Sequence, residues 1–256
     1  MKRLFVTVLI LCSAVALASA QKTKSWKDWS EKDAQKVLDN SAWAQTQSDT
    51  DTTQMFYQPT SSRTSVSVEG TTNQAITTNY HIRFLSSRPV RQAMVRLAEL
   101  KTHATANDLR SFAERNFDEW IVIAVTFDST DGRYSGTSLQ AFASANTGVL
   151  KNKTYLERKD GKRLFLEDYK PPIADGLGAK FIFHRMEDGK PFITGDTGEI
   201  RFYCEIPSGD RTDTNTVQTA GGRTDPQGNM IAVVKTITLN MKFKTSEMMY
   251  EGKLDY

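Results

Sequence analysis

Cysteine is nearly absent from this chain, with two in 256 residues, Cys12 and Cys204. Cys12 sits in an apolar run, Leu4 to Leu17, that follows Lys2 and Arg3 and ends at Ala18-Ser19-Ala20. A basic start, a short apolar core and small residues before the cut make a secretory signal, so residues 1–20 are expected to leave and Gln21 to open the mature chain. The run is too short to span a bilayer comfortably, and the mature chain is expected to have no transmembrane segment. Cys12 follows Ile10-Leu11 instead of small residues, which excludes lipidation. Cys204 is then left alone and no intrachain disulfide can form. It reads as a buried small hydrophobe ahead of an intermolecular bridge or a reactive thiol, because free cysteine is among the most buried residue types. A mature chain of about 236 residues buries a core without such staples.

Histidine is almost as scarce. His81, His103 and His184 stand apart, without the close spacing of zinc ligands, so no metal is assigned. Excess charge is also lacking: Lys2 and Arg3 depart with the signal while no acid does, and the net charge falls from +3 to +1. A near-neutral chain has no electrostatic footprint for nucleic acid. Both signs are interspersed from Lys151 to Arg163, as on a solvated hairpin.

Motifs for chemistry are missing too. No Gly-x-Ser-x-Gly elbow occurs, and Tyr134-Ser135-Gly136-Thr137-Ser138 lacks its flanking glycines. Gly176-Leu177-Gly178 leads into a strand, not a helix, and reads as turn residues; no cofactor is expected. Asp49-Thr50-Asp51, and Asp210, Asp213 and Asn215, carry calcium-type oxygens at spacings unlike a known cage. Asn152-Lys153-Thr154 is a formal glycosylation sequon. A Cys204–His184 dyad is argued against by the pleat: if Phe181, Phe183, Phe202 and Cys204 face the core, His184 points outward. No catalytic residue is therefore assigned.

What is present reads as an α+β chain. Ser30 and Asp33 form a helix start beside Trp29, with Ala34, Val37 and Leu38 as its stripe and Asn40 as its stop. Trp26, Trp29 and Trp43 suit docking of this arm, residues 21–44, more than a sugar-binding or partner-binding cluster. Residues 45–78 are rich in Thr, Ser, Gln and Asp and read as a polar linker or long loop, with a marginal strand at Ser65-Val66-Ser67-Val68. Residues 79–148 read as strand, helix, helix, strand: alternation from Tyr80 to Phe84, a helix after Ser87 with Arg88, Arg91, Arg96 and Lys101 in water, a second from about Asn107, and a strand from Trp120 to Phe127 buried on both faces. One further helix is placed over Ser138 to Asn146, closed by Gly148. Residues 149–256 read as mainly antiparallel and sandwich-like. Their expected elements are a hairpin of Lys153 to Arg158 and Lys162 to Tyr169 turning at Gly161, strands at Ala179 to Arg185, Glu199 to Ile206 and Met230 to Asn240, and a tail strand near Met248 to Tyr256.

Two stretches, Trp29-Ser30-Glu31-Lys32-Asp33-Ala34 to Ser41-Ala42-Trp43-Ala44 and Phe243-Lys244 to Met249-Tyr250-Glu251-Gly252-Lys253-Leu254-Asp255-Tyr256, resemble uncharacterised exported bacterial proteins. The resemblance implies export from a bacterium, to the periplasm or beyond, and carries no activity or site residue. The function expected is non-enzymatic binding of an unknown protein or envelope ligand, with the long loop from Pro207 to Asn229 as its favoured seat. Two alternatives stand beside it: an envelope or extracellular hydrolase using dispersed carboxylates, and a scaffold that recruits partners through an exposed C-terminal strand edge.

Overall fold

The computed structural model describes residues 24–51, 76–102, 107–130, 132–173, 175–208 and 236–256. Residues 1–20, expected to be a signal, the Ser65-Val68 island, His103, and Asp210, Asp213 and Asn215 with nearly all of the stretch Pro207 to Asn229 expected to be a loop lie outside them.

A 3₁₀ turn at Trp26–Asp28 leads to α1 (Glu31–Asp39). The start of α1 is a reciprocal capping box: the Asp33 amide donates to the Ser30 hydroxyl at 3.2 Å, and the Ser30 amide donates to the Asp33 carboxylate at 3.0 Å. Ala34 and Leu38 bury against Val90, Ala93 and Leu97 of α2 (Arg88–Thr102), while Trp26 packs on Val95 of α2 and Ala113 of α3 (Asn107–Glu114). The tryptophans therefore dock the arm, as their spacing implies.

The strands form two antiparallel sheets. The larger runs in the order β1 (Ala44–Asp51), β2 (Ile76–Phe84), β3 (Trp120–Ser129), β7 (Ala179–His184), β6 (Asp168–Lys170). The smaller runs β11 (Thr236–Lys244), β10 (Glu199–Pro207), β4 (Thr154–Arg158), β5 (Arg163–Phe165). Two small hairpins, β8 (Met186–Glu187) with β9 (Lys190–Pro191) and β12 (Met249–Tyr250) with β13 (Lys253–Leu254), complete the set. Period-two burial along β7 and β10 turns Phe181, Phe183, Phe202 and Cys204 inward, where rings of the two sheets meet edge to face: Phe84 with Phe243 at 4.9 Å and Phe181 with Phe202 at 5.3 Å. On the far side of the larger sheet, Val122 and Ala124 pack with Leu85, Met94 and Phe112 under α2 and α3. The architecture is α+β, a sandwich with α1, α2 and α3 on one outer face and Ala141, Phe142 and Leu150 of the two later helices buried in the core between the sheets, and among the described residues no helix is long and apolar enough to cross a membrane.

Several expectations change. Gln45 to Asp51, read as linker, is strand β1, and β2 begins at Ile76 instead of Tyr80. The strand was hidden because lateral side-chain bonds, not apolar alternation, hold it: Ser48 donates to Asn79 at 2.8 Å, and the Thr50 and Thr77 hydroxyls are 3.2 Å apart. The Gln47 carboxamide donates to the Thr238 carbonyl and accepts from the Asn240 amide, both at 2.8 Å, so the edges of β1 and β11 are joined there. Lys162 to Tyr169 is not one strand, since the chain leaves β5 for β6 in the other sheet, with Leu166 buried between them. The helix expected at Ser138 is α4 (Gly132–Ser144), and Gly148 lies inside α5 (Thr147–Leu150) instead of closing a helix. β7 pairs with β3, so strands on both sides of residue 149 share one sheet. Gly178 makes that pairing possible: its φ is +80°, and a Cβ there would meet the Val125 carbonyl oxygen at 2.2 Å.

Candidate functional site

A cleft of about 530 Å³ opens where the start of α2, the turn after α3, the end of β7 and the tail converge. The turn entering α2 is tied to both neighbouring strands, Ser87 donating its hydroxyl to the Phe84 carbonyl at 2.7 Å and Ser86 Oγ accepting the Val122 amide at 3.1 Å. The Arg88 amide and Nε both donate to the Asp255 carboxylate, at 2.8 and 2.6 Å, and Nη1 reaches Glu251 at 3.2 Å. Asp255 thus satisfies an orphan donor at the positive end of α2. The tail is pinned from three sides: the Trp43 indole N–H donates to the Asp255 carbonyl at 2.6 Å, the Tyr256 hydroxyl to the Ile193 carbonyl at 2.7 Å and the Tyr250 hydroxyl to Gln92 at 2.7 Å. The tail strand expected from sequence is accordingly a hairpin folded on itself, β12 against β13.

Five cations, Arg88, Arg91, Arg115, Arg185 and Lys253, line the cleft with three acids, Glu114, Asp118 and Asp255. Arg91, expected in water, is 1% exposed. Its guanidinium donates to the carbonyls of Leu85 at 3.0 Å and Phe112 at 3.2 Å, and also to those of Ser86 and Arg115, while lying 4.7 Å from the centre of the Phe117 ring. Burial pushes the Arg91 pKa down to about 10, which still leaves it charged at neutral pH. Arg185 donates to the Phe117 carbonyl at 3.1 Å and to the main-chain oxygen of Tyr256, with its guanidinium 4.1 Å from the Tyr256 ring centre. Arg88 differs: the hydrogen bond to Asp255 raises its pKa above the ordinary arginine value.

A second polar cluster lies under the end of α1. His81 Nε2 is 2.7 Å from Asp128 Oδ2, and Nδ1 is 2.9 Å from the Thr46 hydroxyl and 3.5 Å from Asp39. The bond from His81 holds the Asp128 carboxyl below its usual range. Carboxylate, imidazole and hydroxyl in series resemble a proton relay, but the groups close on one another: Asn79 donates to Asp128 at 3.0 Å, and Arg83 reaches Asp39 at 3.4 Å and the Leu38 carbonyl at 2.7 Å. Its evident work is to latch α1 to the sheet.

The residues singled out from sequence do not assemble. Cys204 is fully buried, accepts the Thr154 hydroxyl at 3.1 Å and has its pKa pushed up to about 12 by burial, which makes it inert. His184 faces out, 4.5 Å from the Trp120 ring centre and 3.7 Å from Glu167. Asp49 lies on β1, and among the described residues no group of three or more His, Cys, Asp or Glu is placed to hold a metal. Asn152 is exposed while Thr154 of the same sequon is buried. The cleft was missed because its cations come from four separated segments with no spacing to betray them. The one local signal was the alternation of cation and acid in the tail, Glu251, Lys253 and Asp255. No known protein family, no curated protein and no solved structure matches this chain.

Proposed function

We propose that this chain is an exported bacterial protein that binds a ligand without turning it over, and that the basic cleft at the tail is the binding site. The observation that carries the reading is the convergence of five cations on three acids around one cleft, in a chain whose mature net charge is only +1. Charge gathered from distant segments needs a reason, and a concave site of a few hundred Å³ with convergent polar groups is the common form of a ligand site. The basic start, apolar run and Ala18-Ser19-Ala20 support export. The resemblance of the two chain ends to exported bacterial proteins supports the compartment. The loop after Pro207, favoured on sequence, is not needed for this reading.

The test is thermal unfolding of the mature chain against anionic, neutral and cationic small molecules at fixed ionic strength, repeated with Arg115→Glu/Lys253→Glu. Binding to the folded state raises the midpoint. A rise with at least one probe that disappears in the double variant is expected. No rise with any class, or a rise indifferent to the substitutions, refutes the cleft as the site.

A further inference from the structure

We propose, resting on the reading of the cleft as the binding site, that its ligand is a small dianion carrying phosphate or carboxylate oxygens, gripped between Arg115 and Lys253. Cationic side chains outnumber acidic ones on the cleft lining, five to three. The origin of that excess is specific. Arg91 is saturated by backbone carbonyl oxygens and packed on the Phe117 ring, with no carboxylate in hydrogen-bond contact. Carbonyls satisfy the Arg91 donors but do not cancel its charge, which only the more distant Asp255 and Glu114 temper, so its guanidinium adds a positive field to a partly desolvated space. Arg88, by contrast, is neutralised by Asp255 and Glu251.

Arg115 and Lys253 have free heads. Among the described residues, neither the Arg115 guanidinium nor the Lys253 ammonium has a side-chain or carbonyl acceptor, and both residues are exposed. Arg115 follows α3 and Lys253 sits on β13, so the two approach the cleft from different elements. The acids have other work: Glu114 accepts from Gln92 at 3.3 Å and Asp118 from Asn116 at 2.7 Å. A guanidinium fork pairs two oxygens of a planar or tetrahedral oxyanion, and an ammonium adds a point charge. At about 530 Å³ the cleft suits a small molecule and is not the extended basic stripe that a polyanion needs.

Calorimetric titration of the mature chain at constant ionic strength and mildly alkaline pH decides this. The probes are inorganic phosphate, succinate, acetate and glucose. Phosphate or succinate is expected to bind about tenfold or more tightly than acetate, and Arg115→Ala and Lys253→Ala each to weaken that binding about tenfold. Whichever dianion prevails assigns the oxyanion as phosphate or dicarboxylate. Arg115→Gln, which keeps most of the side chain, serves as a second variant if the alanine form melts early. Acetate or glucose binding as tightly as the dianions, with loss in the variants, overturns the dianion and leaves the cleft standing. Absence of binding by every probe, or binding indifferent to the substitutions, overturns both.

Discussion

The two layers on either side of the larger sheet are held by different physics. Between the sheets the contacts are apolar and aromatic, with Phe84, Phe181, Phe183, Phe202 and Phe243 all fully buried. Between that sheet and the helices the seam is thin, Val122, Ala124 and Leu85, and is stitched by two buried arginines. Arg83 donates to the Leu38 carbonyl at 2.7 Å and to Thr126 at 2.6 Å; Arg91 ties the start of α2 to the end of α3 through backbone carbonyls. The first layer specifies by volume and the second by donor geometry. One of them, Arg91, also lines the cleft, so the second layer contributes to its charge, whereas Arg83 lies outside it and pairs with Asp39 at 3.4 Å.

Paired substitutions sharpen that contrast. Phe202→Ala is expected to cost about 4 kcal/mol in urea unfolding, because a large cavity opens between the sheets. Phe202→Leu should cost less than about 1.5 kcal/mol, since the layer accepts another apolar shape. Arg91→Lys, conservative in charge, should cost about 3 kcal/mol, because an ammonium cannot reach carbonyls arranged around a guanidinium and leaves buried acceptors unpaired. Equal tolerance of the Phe202→Leu and Arg91→Lys changes would break the comparison.

A smaller effect probes the apolar layer from within. The Cys204 thiol should not react with an aromatic disulfide reagent in the folded chain, and labelling should follow the rate of unfolding. Fast labelling of native protein would contradict its burial. The smallest effect lies in the arm. The Ser30 amide donating to its carboxylate, with the Ser30 side chain and the Lys24 ammonium beside it, lowers the Asp33 pKa to about 2, so the capping box stabilises fully above the ordinary carboxylate value and is lost as pH falls through about 2. Wild type should therefore exceed Asp33→Asn in stability near neutral pH, with the difference vanishing as pH falls towards 2; a difference that persists there would place the effect elsewhere.

The same contrast explains what was legible in the sequence. Alternation at Phe181, Phe183, Phe202 and Cys204 revealed both inward faces, and Ser30 with Asp33 revealed the arm helix, because apolar period and capping are local signals. Strand β1 was hidden because Thr46, Gln47 and Ser48 stabilise it through partners 35, 191 and 31 residues away. Arg91 reads as solvent-facing in any helical wheel, and only the tertiary arrangement of carbonyls around it makes burial tolerable. The cleft was illegible for the same reason: Arg115 and Lys253 become neighbours of one space only after the tail docks through Trp43, Asp255 and Tyr256.

Amide chemical-shift mapping of residues 21–256 titrated with inorganic phosphate and with succinate tests the cleft most directly. Shifts concentrated at residues 86–91, 114–118, 185 and 253–256, and abolished by Arg115→Ala, are predicted. Shifts gathered on another face of the sandwich, or none in those segments, would contradict it.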